Sequence, residues 1–153
     1  MRLDIRNRKI FFICFFAWLL VAAWMVLIFL LSNQPSNESD ALSLGLLGKI
    51  MALFNINLTD HIVRKTAHAF EYFMLASLIF NASRRTWHKS RPFLTFLIAL
   101  LYSVSDEFHQ RFIPGRAARF SDVCIDCAGV VAGILFCIAA VTIFNKLKQR
   151  KKG

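Results

Sequence analysis

The chain has 153 residues, 57% of them hydrophobic, with 16 phenylalanines and only 18% charged residues; its mean hydropathy is +0.52. That length suits one domain, and that composition is more apolar than an ordinary soluble domain. The net charge of +10 would point to nucleic acid if the cations formed a stripe with interleaved aromatics. They flank long apolar runs instead, the arrangement that fixes membrane orientation, so the expected partner is the lipid bilayer and not nucleic acid.

Arg2, Arg6, Arg8 and Lys9 precede an apolar run from Phe11 to Leu31 that holds no charge, glycine or proline. About 20 such residues cross a bilayer core. The run is too long for a signal-peptide core and no small-x-small cleavage site follows it, so it reads as an uncleaved anchor that ends at Ser32, Asn33, Gln34 and Pro35. The apolar segment 41–56 is too short to cross and predicts a short interfacial or re-entrant helix on the outer side. A second helix is expected over about 60–82, with Thr59 as its cap and Leu58 and Val63 as a hydrophobic staple. A basic loop with Arg84, Arg85, Lys89 and Arg91 leads to Pro92, which suits a first helical turn.

The third span is expected over about 92–111, continuing through Asp106, Glu107, His109 and Gln110. Pro114 and Gly115 then mark a turn. Ser121 is expected to cap a last span over about 122–144, followed by a basic, mobile cytoplasmic tail at 146–153. The expected fold is therefore all-α: one polytopic membrane domain over 1–153, a four-transmembrane-helix bundle with the extra short helix on its outer side.

Charge counting orients it. The N-terminus, the loop near Trp87 and the tail hold 13 of the 19 Lys and Arg residues, and eight of the nine acids fall in the opposite half. Four spans put both termini in the cytoplasm of a multi-pass cell-membrane protein.

Ionisable groups at membrane depth face a protein interior or a wet cavity. Helical spacing places Arg64, His68 and Glu71 on one face of the second helix, flanked by His61, Lys65 and Tyr72. Ser103, Asp106, Glu107 and Gln110 share a face of the third, with His109 to one side. On the fourth, Asp122 and Asp126 continue into Gly129 and Gly133, a Gly-x-x-x-Gly stripe that admits a close neighbour. All these stretches fall near the outer ends of their helices, so Ser32–Gln34, Arg64–Tyr72, Asp106–Arg116 and Asp122–Asp126 are expected to converge on one zone.

The segments Ser32-Asn33-Gln34, Arg64-Lys65-x-x-His68-x-x-Glu71-Tyr72, Ser105-Asp106-Glu107-x-His109-Gln110, Pro114-Gly115-Arg116 and Asp122-x-x-x-Asp126-x-x-Gly129 resemble the VanZ-like family of bacterial membrane proteins, in order and over nearly the whole chain. The resemblance implies a membrane location, a Gram-positive cell-envelope setting, a link to teicoplanin-type antibiotic resistance, and a working site built from the motif residues.

Several readings of that site stand open. A ligand site would use Arg64, Lys65, His68, Glu71, Tyr72, Asp106, Glu107, His109, Gln110, Arg116, Asp122 and Asp126 to bind an anionic envelope lipid, a lipid-linked wall precursor or a lipoglycopeptide. An enzyme would take His68 or His109 as general base with Asp106, Glu107, Asp122 or Asp126 as acid or partner, acting on a lipid-linked phosphate or acyl group. A purely structural network would pair Arg64 with Asp122 or Asp126, and Lys65 with Glu107. The i, i+3 pairs His68/Glu71 and Asp106/His109 have ligand-like spacing, and Cys124-x-x-Cys127 lies in an apolar helix; neither carries a metal assignment, and no cofactor is expected. The four cysteines read as packing residues. Transport would need a polar path through the inner halves, which are apolar, and an oligomer, which the chain leaves open.

Overall fold

A computed structural model describes residues 5–33, 60–114 and 119–151. These are all-helical: α1 (Ile5–Ser32), α2 (Asp60–Trp87), α3 (Pro92–Gln110) and α4 (Phe120–Arg150), with no strand among the described residues. The short helix expected over 41–56 lies outside them, as do Thr59 and Gly115.

The helices outrun the apolar segments. α1 starts at Ile5 rather than Phe11, α2 continues past Ala82 to Trp87, and α4 runs on to Arg150, so the tail expected to be mobile is helical to that point. Arg and Lys are good helix formers. Arg84 and Arg85 in the last turn of α2, and Lys148 and Arg150 in that of α4, also complement the negative end of the helix dipole. Pro92 opens α3, where its missing N–H is not needed. Ser121 does not cap α4: the helix begins one residue earlier behind Arg119 without a side-chain cap, and the Ser121 hydroxyl donates to the Asp122 carboxylate at 3.1 Å. After Trp87 the chain turns through His88 at φ 53°, the left-handed conformation that ends many helices.

α2 is the central helix, in contact with the other three and most extensively with α4. The cause is the absence of side chains on α4. A Cβ on Gly129 would sit 2.9 Å from the carbonyl carbon of Ala69 and nearer still to its oxygen, and one on Gly133 would sit 2.5 Å from the carbonyl oxygen of Phe73. One turn further, the Cys137 sulfur lies 4.0 Å from the carbonyl oxygen of Ser77, across 60 positions of sequence. The two helices therefore run parallel, with the same offset held at each turn. Tyr72, Leu75, Ala76 and Ile79 of α2 form the core with Ile28 of α1, Ala99 of α3 and Val130 of α4.

α1 is held by indole and phenol groups. Trp18 donates to the Thr86 hydroxyl at 3.0 Å, Trp24 donates to the Glu71 carbonyl at 3.0 Å, and the Tyr102 hydroxyl donates to the Met25 carbonyl. Near the C-terminus of α2, Trp18 meets Trp87 edge to face at 6.3 Å, and the Arg91 guanidinium lies 4.8 Å over the Trp87 ring.

α3 is amphipathic in the inverse sense. Its buried face is Thr95, Ala99, Ser103, Asp106, Glu107 and Gln110. Its exposed face is Phe93 (77% exposed), Leu97, Leu101 (61%), Val104 and Phe108 (59%). A helix on a soluble protein does the opposite. α1 from Arg8 to Ser32 and α4 from Phe120 to Arg150 are long and apolar enough to cross a membrane, with mean hydropathy reaching 2.7 and 2.6; α2 carries its acids in its N-terminal half and Arg84 and Arg85 in its last turn, and α3 carries its acids in its C-terminal half.

Candidate functional site

The helix directions bring four polar stretches together. α2 and α4 run one way, so their N-terminal halves share an end with the C-terminal ends of α1 and α3. Cross-helix contacts there join Ser32 and Asn33 of α1, Lys65 and His68 of α2, Ser103 to Gln110 of α3, and Asp122 and Asp126 of α4.

Asp106 anchors the side nearest α1. Its Oδ2 accepts from the Ser32 hydroxyl at 2.8 Å and from the Gln110 amide at 3.1 Å, and the same amide lies 3.4 Å from the Ser32 oxygen. Asp126, fully buried, anchors the other side: its Oδ2 accepts from the Ser103 hydroxyl at 2.7 Å, and its Oδ1 faces the His68 Nδ1 at 3.6 Å. Asp106 and Glu71 also lie within electrostatic reach of His68. Tyr72 is fully buried, with Asp106 and Asp126 among its charged neighbours and the Tyr102 ring 6.3 Å away.

Other expected site residues stand at the margin. Lys65 Nζ reaches Asp122 at 4.0 Å rather than Glu107. Glu107 accepts from the backbone N–H of Arg119 at 3.0 Å, which ties the end of α3 to the start of α4. His109 turns toward α1, with Nε2 3.3 Å from the Asn33 side-chain oxygen and its ring 4.8 Å from that of Phe29. It therefore does not meet His68 or Asp126, and among the described residues no group of three His, Cys, Asp or Glu residues is arranged to hold a metal ion. Cys124 is exposed and Cys127 half-buried, both as free thiols. The side chain of Arg64, and Arg116 entirely, lie outside the described residues.

Among the described residues, five buried polar atoms have no partner at hydrogen-bond distance: Tyr72 Oη, Asp106 Oδ1 and Glu107 Oε1, together with His68 Nδ1 and Asp126 Oδ1, which face each other at 3.6 Å. Three are carboxylate oxygens, so this part of the site is rich in acceptors. Elsewhere the buried hydroxyls are closed locally. Ser83 and Thr95 donate to the Phe80 and Arg91 carbonyls of their own helix segments.

Ser32 and Ser103 complete the site, although their chemistry alone does not mark them. Ser103 could be found from its shared helical face with Asp106 and Gln110; Ser32 had only its place beside Asn33 and Gln34. Trp24 and Tyr102 carried no signal.

Buried carboxylates, outward phenylalanines and two helices apolar enough to cross a membrane give the chain the make-up of a helical membrane protein. The profile of the VanZ/LLP1 family matches residues 15–144, and the chain belongs to that family. Searches of curated proteins and of solved structures return no significant match.

Proposed function

We propose that all four helices cross the bilayer with both termini in the cytoplasm, and that the polar end binds the headgroup of an envelope lipid, in particular a lipid-linked wall precursor. The inverse amphipathicity of α3 supports its placement in lipid, because its exposed face is apolar and its acids are inward. The aromatic cluster of Trp18 and Trp87 with Arg91 suits a membrane interface. The basic loops suit the cytoplasmic side.

The unpartnered buried atoms carry the binding reading. Apart from His68 Nδ1 and Asp126 Oδ1, which face each other, Tyr72 Oη, Asp106 Oδ1 and Glu107 Oε1 meet no partner among the described residues, and each such group costs about 1–3 kcal/mol, a sizeable share of the net stability of a small domain, about 5–15 kcal/mol. Partners that donate hydrogen bonds relieve that cost. Sugar hydroxyls and amide N–H groups of a glycan headgroup meet Asp106, Glu107 and Asp126, while Lys65, with Arg64 and Arg116 from the motif, suits the linking phosphate. Occupancy of such headgroups at the outer surface would alter access of a teicoplanin-type drug, in keeping with the resistance link of the family name.

The test is thermal stability of the purified protein with an undecaprenyl-pyrophosphate-linked disaccharide, undecaprenyl phosphate or phosphatidylglycerol. The disaccharide should stabilise most, and Asp126→Asn and His68→Gln should lose the increment while keeping helicity. Equal increments in wild type and both variants overturn the assignment.

A second reading is favoured by one relationship. His68 faces a buried carboxylate that also holds the Ser103 hydroxyl, an arrangement suited to a general base oriented by its partner. Multiple-turnover release of product from the labelled precursor, abolished in His68→Gln, is its signature.

A further inference from the structure

We propose a second lipid site at the basic end, remote from the polar site: a cleft between α1 and α2 that holds an anionic glycerophospholipid. The cleft, about 340 Å³, is lined by Ile10, Ile13 and Cys14 of α1 and by Arg84, Arg85 and His88 at the end of α2. A second hollow of about 340 Å³ shares Ile13 and Arg85 with it and continues along Phe12, Phe16 and Leu20 of α1 and Leu78 of α2. The two adjoin at Ile13 and Arg85, the first cationic at the helix end and the second apolar along the helices.

No described carboxylate lies within ion-pair distance of Arg84 or Arg85. Arg85 uses its Nε–H on the Asn81 side chain at 3.2 Å, which orients the guanidinium and leaves its terminal N–H groups for a phosphate. The eight positions from Ile13 to Leu20 span about 10 Å of helix, room for the upper part of an acyl chain. A phosphodiester at headgroup depth with an acyl chain below it matches both portions; a zwitterionic headgroup brings its own cation against the arginines. The site rests on α1 and α2 lying in a bilayer, and not on which end faces out or on what the polar end binds.

Native mass spectrometry of the full chain, with phosphatidylglycerol or phosphatidylcholine added to detergent, tests it. Phosphatidylglycerol adducts should persist where phosphatidylcholine adducts do not. Arg84→Gln with Arg85→Gln should weaken retention about tenfold or more, whereas Lys146→Gln with Lys148→Gln, which removes equal charge from α4, should leave it within about twofold. Equal retention of the two lipids, or equal loss in both double variants, overturns the site. Because the first variant also alters a helix end, a measurement on the wild type stands beside it. Phosphatidylglycerol bearing a diazirine on its acyl chain should label residues 12–20 and 78–85; labelling spread evenly around the bundle overturns the proposal. The labelling also separates this site from the polar end, whose failure to bind a precursor would leave the pattern unchanged.

Discussion

The Ser32 hydroxyl donates to the Asp106 carboxylate at 2.8 Å, and this contact joins α1 to α3 beside those of Tyr102 with Met25 and of His109 with Asn33 and Phe29. Ser32→Ala leaves Asp106 with the Gln110 amide alone. A hydrogen bond to a charged group contributes about 1.5–3 kcal/mol, so the variant should lose that much stability in denaturant unfolding in detergent micelles. An unchanged midpoint would show that α1 is held by its indole contacts and not by this serine.

Gly129→Ala should damage the protein more than any conservative change on the outward face of α4. The added Cβ meets the Ala69 backbone, which has no side chain to swing aside. Overpacking of this kind costs about 1–3 kcal/mol or more. Gly133→Ala meets the Phe73 carbonyl too and should be comparably poor, while Ala132→Leu, at an exposed position, should be tolerated. Fluorescence-detected size exclusion after heating would rank the three, and tolerance of Gly129→Ala would contradict the close approach of α2 and α4.

His68 and Asp126 should be energetically coupled. In a double-mutant cycle with His68→Ala and Asp126→Asn, contacting residues in one network deviate from additivity by about 0.5–3 kcal/mol. The rim pair Lys65–Asp122, 4.0 Å apart and partly exposed, should show less than about 1 kcal/mol. Larger coupling at the rim than in the interior would place the organising interaction at Asp122.

Single cysteines in a chain without its native four test the proposed topology. Phe120→Cys, at an 83% exposed position beside the polar end, should react with an impermeant maleimide in intact cells. Lys89→Cys and Lys148→Cys should react only after permeabilisation. External labelling of either lysine position would falsify the four-span arrangement.

The buried polar face of α3 was legible in the sequence because Ser103, Asp106, Glu107 and Gln110 recur at helical spacing among apolar neighbours. The Gly-x-x-x-Gly stripe also announced a close contact. What the sequence could not supply was its partner and register. Once Ala69 sits against Gly129, His68 falls opposite Asp126 and Lys65 opposite Asp122; a long lysine side chain considered alone reaches Glu107 equally well on paper. The ends of α1, α2 and α4 are not legible in the sequence for a different reason: loss of hydrophobicity marks the edge of an apolar segment, whereas a helix rich in Arg and Lys continues beyond it. Ser121 does not cap α4 because the helix already begins at Phe120, with Arg119 at the cap position.

The offset of 60 residues between α2 and its main partner also sets an order of biosynthesis. Translation delivers α2 long before α4, so Ala69, Phe73 and Ser77 wait with no glycine helix against them, and His68 waits without its aspartate. α3 arrives between them carrying Ser103, which likewise lacks Asp126 until α4 is made. Closure of the bundle thus waits for α4. A chain interrupted before Phe120 has three of these helices but not the one that matches their polar side chains, which makes delivery of α4 the step on which assembly turns.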